Sequence, residues 1–248
     1  MRRFFIPLSA IHGEAVTITG SDAHHLIHVL RKSKGDRFEA TDGQSRALVL
    51  EITEIRDDSV LCRILSETMV NERSISVRLF QALPKNPAWE DILIQSCELG
   101  VSEIVPLLSE RTIYPSTLKG EKKERWQRLI LESSKKIGRT SPTILHSVID
   151  WHEIPKLLHP QSLKIMPWEL EHTTTLKKLL SLHSNATVID LLIGPEGGFS
   201  QKEASEAKEW GFFTVSLGKR ILTTRTAVIS TLSCLYFSLE DNENSHPQ

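Results

Sequence analysis

The 248-residue chain has only three cysteines and no Cys-x-x-Cys pair. This scarcity argues against a disulfide scaffold and against a cysteine-rich zinc site. We therefore expect three reduced thiols, at Cys62, Cys97 and Cys234. The sequence has one histidine cluster, formed by His24, His25 and His28, and no further set of metal ligands accompanies it. We expect helix packing at this cluster and no bound metal.

Long apolar runs and an excess of one charge are also absent. No run reaches the ~18–20 apolar residues of a membrane-spanning helix, and Met1–Ala10 lacks the apolar core of a signal peptide. The 30 basic and 31 acidic residues give a net charge of −1, which excludes a whole-chain basic footprint but not a local basic patch. We expect a cytoplasmic protein that makes no membrane contact.

The length corresponds to one large domain or two smaller ones. In the first seventy residues, turn signals separate four predicted short strands: 16–18, 37–40, 47–55 and 59–65. Short, regularly punctuated strands of this kind favour a small barrel. One helix interrupts them. Ser21 or Asp22 is its expected cap, and an apolar stripe is expected at His25, Leu26, Val29 and Leu30.

Strands and helices alternate after about residue 72, which predicts an α/β domain with a largely parallel sheet. The expected strands are 75–83, 104–108, 163–166, 187–193 and 213–217. The expected helices are 87–99, 119–137, 175–182, 201–210 and 224–239. We place the domains at 1–72 and 73–242, followed by a polar tail at 243–248.

Two glycine-containing loops carry the chemical signal. In Leu191–Glu203 a buried strand runs into a loop with three glycines, and Ser200 with Glu203 fits a capping box at the next helix. The second loop, Leu217–Ala227, also leads from a strand to a helix, with Thr223 or Thr224 as its cap. Because ligands bind at the carboxyl ends of parallel strands, the loops predict one shared pocket; ordinary structural turns are the alternative.

These two motifs resemble those of the SPOUT methyltransferases, most closely the bacterial small-subunit (16S) ribosomal RNA uridine-N3 methyltransferases. The resemblance spans nearly the whole chain. It implies a PUA-like β-barrel followed by a SPOUT α/β domain with a carboxyl-terminal deep trefoil knot, a rarity among folds. It also implies S-adenosylmethionine as cofactor and a homodimer.

The resemblance implies a role for each matching residue. The cofactor would be bound by Ile193, Gly194, Pro195, Glu196, Gly197, Gly198, Leu217, Gly218, Ile221, Leu222, Thr226 and Ala227. Glu196 is a candidate catalytic residue, although a carboxylate there can also brace the start of a helix. Arg225 is the second candidate, as a cation stabilising an anionic uracil. Among the positions where the chain departs from the family pattern, Thr223 stands in place of arginine and Arg225 in place of glutamate.

Basic residues predict an RNA surface in a protein that is neutral overall. The stretch 119–139 holds eight basic and three acidic residues, and phosphate contacts there would make binding salt-dependent. A solvated helix face is the alternative. The expected RNA contacts are Arg3, Arg31, Lys32, Lys85, Arg111, Lys122, Lys123 and Arg139.

The leading interpretation is S-adenosylmethionine-dependent methylation of N3 of a uridine in 16S rRNA, with the 30S subunit as substrate. One alternative is an RNA-binding assembly factor that keeps the cofactor pocket but has lost turnover, for which Thr223 and Arg225 are the only support. The other alternative is a methyltransferase that acts on a different RNA.

Overall fold

A computed structural model describes residues 4–70, 75–84, 88–112 and 121–240. The chain divides into two compact units. The first comprises the residues up to 72 together with 132–142, and the second comprises 73–131 and 143–248. The expected polar tail, 243–248, lies outside the described residues.

The first unit is a curled six-stranded sheet. Its strands are β1 (Phe4–Phe5), β2 (Ile11–His12), β3 (Ala15–Thr19), β4 (Arg37–Thr41), β5 (Arg46–Ile55) and β6 (Ser59–Met69). The spatial order is β1-β4-β5-β6-β3-β2, in which only β1 and β4 pair in parallel. Two register shifts between β5 and β6 are the kind of irregularity that bends long strands. Burial alternates along β5, where Leu48, Leu50 and Ile52 are buried.

The helix of this unit differs from the sequence prediction. It comprises α1 (Gly20–His24) and a π-helical turn (His25–Val29), and its N-cap is Thr19 instead of Ser21 or Asp22. Asp22 accepts two hydrogen bonds from Lys135 Nζ, at 2.8 and 2.9 Å. Because a π turn breaks the spacing of three and four residues, the expected stripe is incomplete. Leu26 is buried, whereas Val29 is 58% and Leu30 is 45% exposed.

The second unit is an α/β domain with a parallel sheet. Its strands are β7 (Ser76–Ala82), β8 (Glu103–Leu108), β9 (Ile144–Leu145), β10 (Ile149–Asp150), β11 (Leu163–Pro167), β12 (Val188–Ile193) and β13 (Phe213–Val215). Its helices are α2 (Ala88–Glu98), α3 (Glu121–Ile137), α4 (Ile154–Leu157), α5 (Leu176–Leu182), α6 (Gln201–Glu209) and α7 (Thr224–Leu239). The residues of α3 from 132 onward belong to the first unit. The order is β10-β8-β7-β12-β11-β13, with β9 beside β8.

Helices cover both faces of this sheet, which explains its nearly continuous apolar strands. Leu191 of β12 belongs to a core built with α2, α5 and α7, and its neighbour Leu192 belongs to a second core with α4 and α6. Gly100 and Gly138 follow α2 and α3 with φ of +101° and +72°, as expected of helix-terminating glycines. Among the described residues, no helix is long and apolar enough to cross a membrane.

Candidate active site

A cavity of the second unit opens at the carboxyl ends of β11, β12 and β13. Its volume is about 540 Å³, within the range of small-molecule sites. Three loops line it, each following one of these strands: residues 167–169 with His172, 193–199, and 216–222 with Thr224 and Ala227. The expectation that the two glycine-containing loops share one pocket is confirmed.

Glycine is required in the first loop because its backbone passes close to other groups. Gly198 has φ of +64°, and its amide donates to Pro195 O at 3.0 Å. A Cβ placed on Gly198 would lie 2.4 Å from Glu169 Oε1, and one on Gly194 would lie 3.3 Å from the Gly198 backbone. The loop can therefore fold tightly and expose its backbone to the cavity.

The predicted capping box is confirmed at the start of α6. Ser200 N donates to Glu203 Oε2 at 2.8 Å, and Glu203 N donates to Ser200 Oγ at 3.2 Å. Both residues are buried. The box defines where the glycine-rich loop ends and the helix begins.

A short chain of hydrogen bonds joins the second loop to the first. Thr223 is the N-cap of α7, accepting from Thr226 N at 3.3 Å, and Thr224 Oγ1 donates to Gly194 O at 2.6 Å. Buried Gln81, at the end of β7, donates to Thr224 Oγ1 at 3.2 Å. Sequence reasoning did not identify Gln81, because a polar residue ending a buried strand carries no signal of its partner.

Sequence reasoning also missed the third wall, which follows β11 and contains Trp168, Glu169 and His172. Glu171 anchors this wall by accepting hydrogen bonds from Thr173, Thr174 and Thr214. The bonds from the Thr173 and Thr214 side chains lower the pKa of Glu171 to about 2. The available signal was the strand itself, since the loop after a strand beside β12 must lie at the same sheet edge.

The structure brings together all but one of the residues expected to bind the cofactor. Ile193 to Gly198, Leu217, Gly218, Ile221, Leu222 and Ala227 line the cavity. Thr226 does not line it. Its hydroxyl lies 3.0 Å from Thr223 Oγ1 in the first turn of α7. Thr224 takes its place in the lining.

The two candidate catalytic residues differ in position. Glu196 is exposed at the edge of the cavity. Arg225 does not line it, and its Nη1 lies 2.6 Å from Asp91 Oδ2 in a half-exposed ion pair. The catalytic role of both residues remains a prediction.

The expected RNA contacts do not share one environment. Arg31 is exposed, while Lys32 Nζ donates to Arg37 O and Lys123 Nζ donates to Ser147 Oγ. Arg139 is buried and its Nε donates to Ser141 O, which argues against a phosphate contact by its guanidinium. Arg111 donates to Gly197 O at 2.7 Å. Arg3 and Lys85, and the side chain of Lys122, lie outside the described residues.

The cavity suits a small ligand that has both an apolar part and polar groups. Ile193, Leu217 and Leu222 supply apolar surface, and the glycines leave backbone donors and acceptors within reach. Within the described part of the chain, no group of acidic, histidine or cysteine side chains is arranged to hold a metal ion.

The fold and this site define a class: an α/β protein with a cavity of small-molecule size at the carboxyl edge of a parallel sheet, preceded by a small curled-sheet unit. The family model described as an RNA methyltransferase domain matches residues 71–236, and that of an RNA methyltransferase PUA domain matches residues 18–65. The chain belongs to this RNA methyltransferase family.

Its relatives carry a common name. The ribosomal RNA small subunit methyltransferase E of Synechocystis is 33% identical over 91% of this chain and 74% of its own length. The protein of that name from Bacillus subtilis is 26% identical over 97% and 98% of the two chains. A crystal structure of that enzyme from Neisseria gonorrhoeae, bound to S-adenosylmethionine, matches with a TM-score of 0.85 at 27% identity, covering 98% of this chain and 99% of that one.

Proposed function

We propose that the protein is an S-adenosylmethionine-dependent methyltransferase that modifies N3 of a uridine in the 16S rRNA of the 30S subunit. One observation carries this proposal: both glycine-containing motifs line a single cavity at the sheet edge, in a chain that matches a cofactor-bound structure over nearly its full length.

The residues of the cavity fit this cofactor. Backbone groups of Gly194–Gly198 and of Leu217–Leu222 would bind its polar groups, and the apolar side chains would contact adenine. The cofactor would supply a methyl group already activated on sulfur. The protein therefore has to align this methyl group with the uracil nitrogen, which is a task of positioning.

The target base must also leave its stack and lose its N3 proton. A bond from N3 to the methyl carbon forms as the bond from sulfur to that carbon breaks, and the proton passes to a base or to solvent. Glu196 stands at the cavity edge, where it can meet an entering base. Arg225 lies one residue beyond the lining residue Thr224 and would stabilise the uracil anion after leaving Asp91.

We further infer the trefoil knot of the SPOUT fold. The chain reaches the edge strand β13 and then returns inward, where Thr224 bonds to Gly194 in the earlier loop. The helix that follows, α7, packs against α2 and α5. This return of the last segment across an earlier loop supports the knot.

The domain and partner assignments are part of the same proposal. Residues 1–72 would form an RNA-binding barrel and 73–242 the catalytic domain, acting as a cytoplasmic homodimer. Two exposed apolar side chains support the dimer: Ile221 is 90% and Phe237 is 84% exposed, and Cys234 is exposed on the same helix as Phe237.

The test combines purified protein, methyl-labelled S-adenosylmethionine and 30S subunits from a strain that lacks the modification, followed by nucleoside mass spectrometry. We expect 3-methyluridine in the 16S rRNA. Cofactor binding without any labelled product would favour the assembly-factor alternative, for which Thr223 and Arg225 are the support. Label in total RNA but not in 30S subunits would indicate another target.

A further inference from the structure

The segment that follows β8 contacts the glycine-rich loop directly. Arg111 Nη1 donates to Gly197 O at 2.7 Å, at the centre of that loop. A Cβ placed on Gly197 would lie 3.4 Å from both Cβ and Cδ of Arg111, so the arginine side chain packs along the glycine backbone. A glycine backbone is conformationally permissive, so contacts of this kind decide which conformation it holds.

The neighbouring residue, Glu110, completes the capping box at the end of the same loop. Its backbone amide donates to Glu203 Oε1 at 2.8 Å, and its Oε2 accepts from Ser200 Oγ at 2.7 Å. Ser200 and Glu203 are buried, where a polar atom without a partner is costly. Glu110 therefore satisfies the second oxygen of Glu203 and the hydroxyl hydrogen of Ser200.

Two adjacent residues thus hold the loop at two points, Gly197 and the start of α6. We propose that Glu110 and Arg111 are positioning residues for the loop between β12 and α6, and that Arg111 acts in cofactor affinity rather than in phosphate contact. This inference rests on the proposed function, because it takes that loop as the wall that binds S-adenosylmethionine. It replaces the RNA role expected for Arg111 from the sequence.

The experiment separates cofactor affinity from RNA affinity in Arg111→Ala. Calorimetry gives the Kd for S-adenosylmethionine, and steady-state rates give kcat with the KM for cofactor and for 30S subunits. We expect the cofactor Kd and KM to rise about tenfold, as for the loss of one charge-assisted hydrogen bond, and the KM for 30S subunits to stay unchanged. Arg111→Lys should restore part of the affinity. Lys202→Ala, an exposed substitution on α6, is the matched control and should bind as wild type.

Glu110→Ala is a second variant, expected to weaken cofactor binding in the same direction. Thermal unfolding identifies a variant that fails to fold, in which case Arg111→Lys and Glu110→Ala provide the test. Wild-type cofactor affinity in Arg111→Ala would overturn the inference, and a lower salt dependence of 30S binding would then reinstate the phosphate role. Failure of the proposed function looks different, because the wild-type protein itself would then bind no S-adenosylmethionine.

Discussion

The hydroxyl of Thr224 donates to the carbonyl of Gly194 across 2.6 Å, although thirty residues separate them in the chain. The bond joins the start of α7 to the glycine-rich loop. Gln81 donates to the same hydroxyl from the end of β7. Three elements of the sheet edge therefore meet at one oxygen atom, and the cavity depends on their alignment.

Replacing Thr224 with the isosteric valine should weaken this junction. Gly194 O loses its shortest hydrogen bond and keeps the one from Gln81 Nε2 at 3.3 Å, and Gln81 loses one of its acceptors. Losing these bonds in a buried place costs about 1–3 kcal/mol of unfolding free energy. Denaturant unfolding measures that loss, and calorimetry should show weaker S-adenosylmethionine binding. Thr53→Val is the matched control, because the Thr53 hydroxyl donates to Leu61 O at an exposed position of the first unit. Equal effects of the two substitutions would contradict this account.

Gly198→Ala should impair cofactor binding through Glu169. The new methyl group would lie 2.4 Å from the Glu169 carboxylate and displace it within the cavity. Gly13→Ala separates this effect from backbone strain, because Gly13 has nearly the same φ, +63°, with nothing within 4 Å of its Cβ position. Both variants should lose about 1–2 kcal/mol from the left-handed conformation.

Only Gly198→Ala should raise the Kd for S-adenosylmethionine, measured by calorimetry. Adding Glu169→Ala to it should restore part of the affinity, since the displaced carboxylate is then absent. Indistinguishable cofactor affinities for the Gly13 and Gly198 variants would show that the glycine is needed only for its backbone conformation.

The stabilising contribution of Glu171, which anchors the third wall of the cavity, should depend on pH. The pKa of Glu171 is about 2 in the folded protein and 4.5 for the ordinary group. Its stabilising contribution is therefore complete above about pH 4.5 and disappears as the pH falls toward 2. The difference in unfolding free energy between wild type and Glu171→Gln should shrink across that window. A difference that stays constant from pH 6 to pH 2 would be inconsistent with an ionised anchor.

The exposed surface of α7 offers a test of the dimer. Phe237→Glu places a charge on that surface and should convert a dimer into monomers, which light scattering after size-exclusion chromatography detects. The reactivity of Cys234 also reports on the dimer, because a partner that covers α7 would slow the reaction of this thiol with a thiol reagent. In Phe237→Glu this reaction should accelerate. A monomeric wild-type protein would refute the dimer.

The sequence predicted most of the parallel sheet because its strands are short apolar runs separated by glycine and polar turns. The glycine-rich motif was also predicted to lie at a strand end, and its capping box at Ser200 and Glu203 formed as expected. These features are local. Each depends on residues within a few positions of one another, so a single chain suffices to identify them.

The features that escaped prediction depend on distant contacts. The bond from Arg111 to Gly197 joins residues 86 apart, and Arg225 meets Asp91 across 134 positions. The π turn at His25–Val29 is local, but it changes the helical period on which the apolar stripe was predicted. Periodicity and caps therefore predict elements, whereas side-chain contacts between residues far apart in the chain require the folded chain.

The role of Arg225 is the prediction that bears most directly on chemistry. If its guanidinium stabilises the anionic uracil, Arg225→Ala should lower kcat about 100-fold, as for the loss of one charge-stabilising donor, with the Kd for S-adenosylmethionine unchanged. Higher pH should restore part of the rate, because solvent can then remove the N3 proton without help. Asp91→Ala is the control variant, because it removes the 2.6 Å ion pair with Arg225 but keeps the guanidinium. This variant should leave turnover intact. If Arg225→Ala keeps full turnover and binds 30S subunits as well as wild type, the catalytic role of Arg225 is wrong. The ion pair with Asp91 would then serve only to pack α2 against α7.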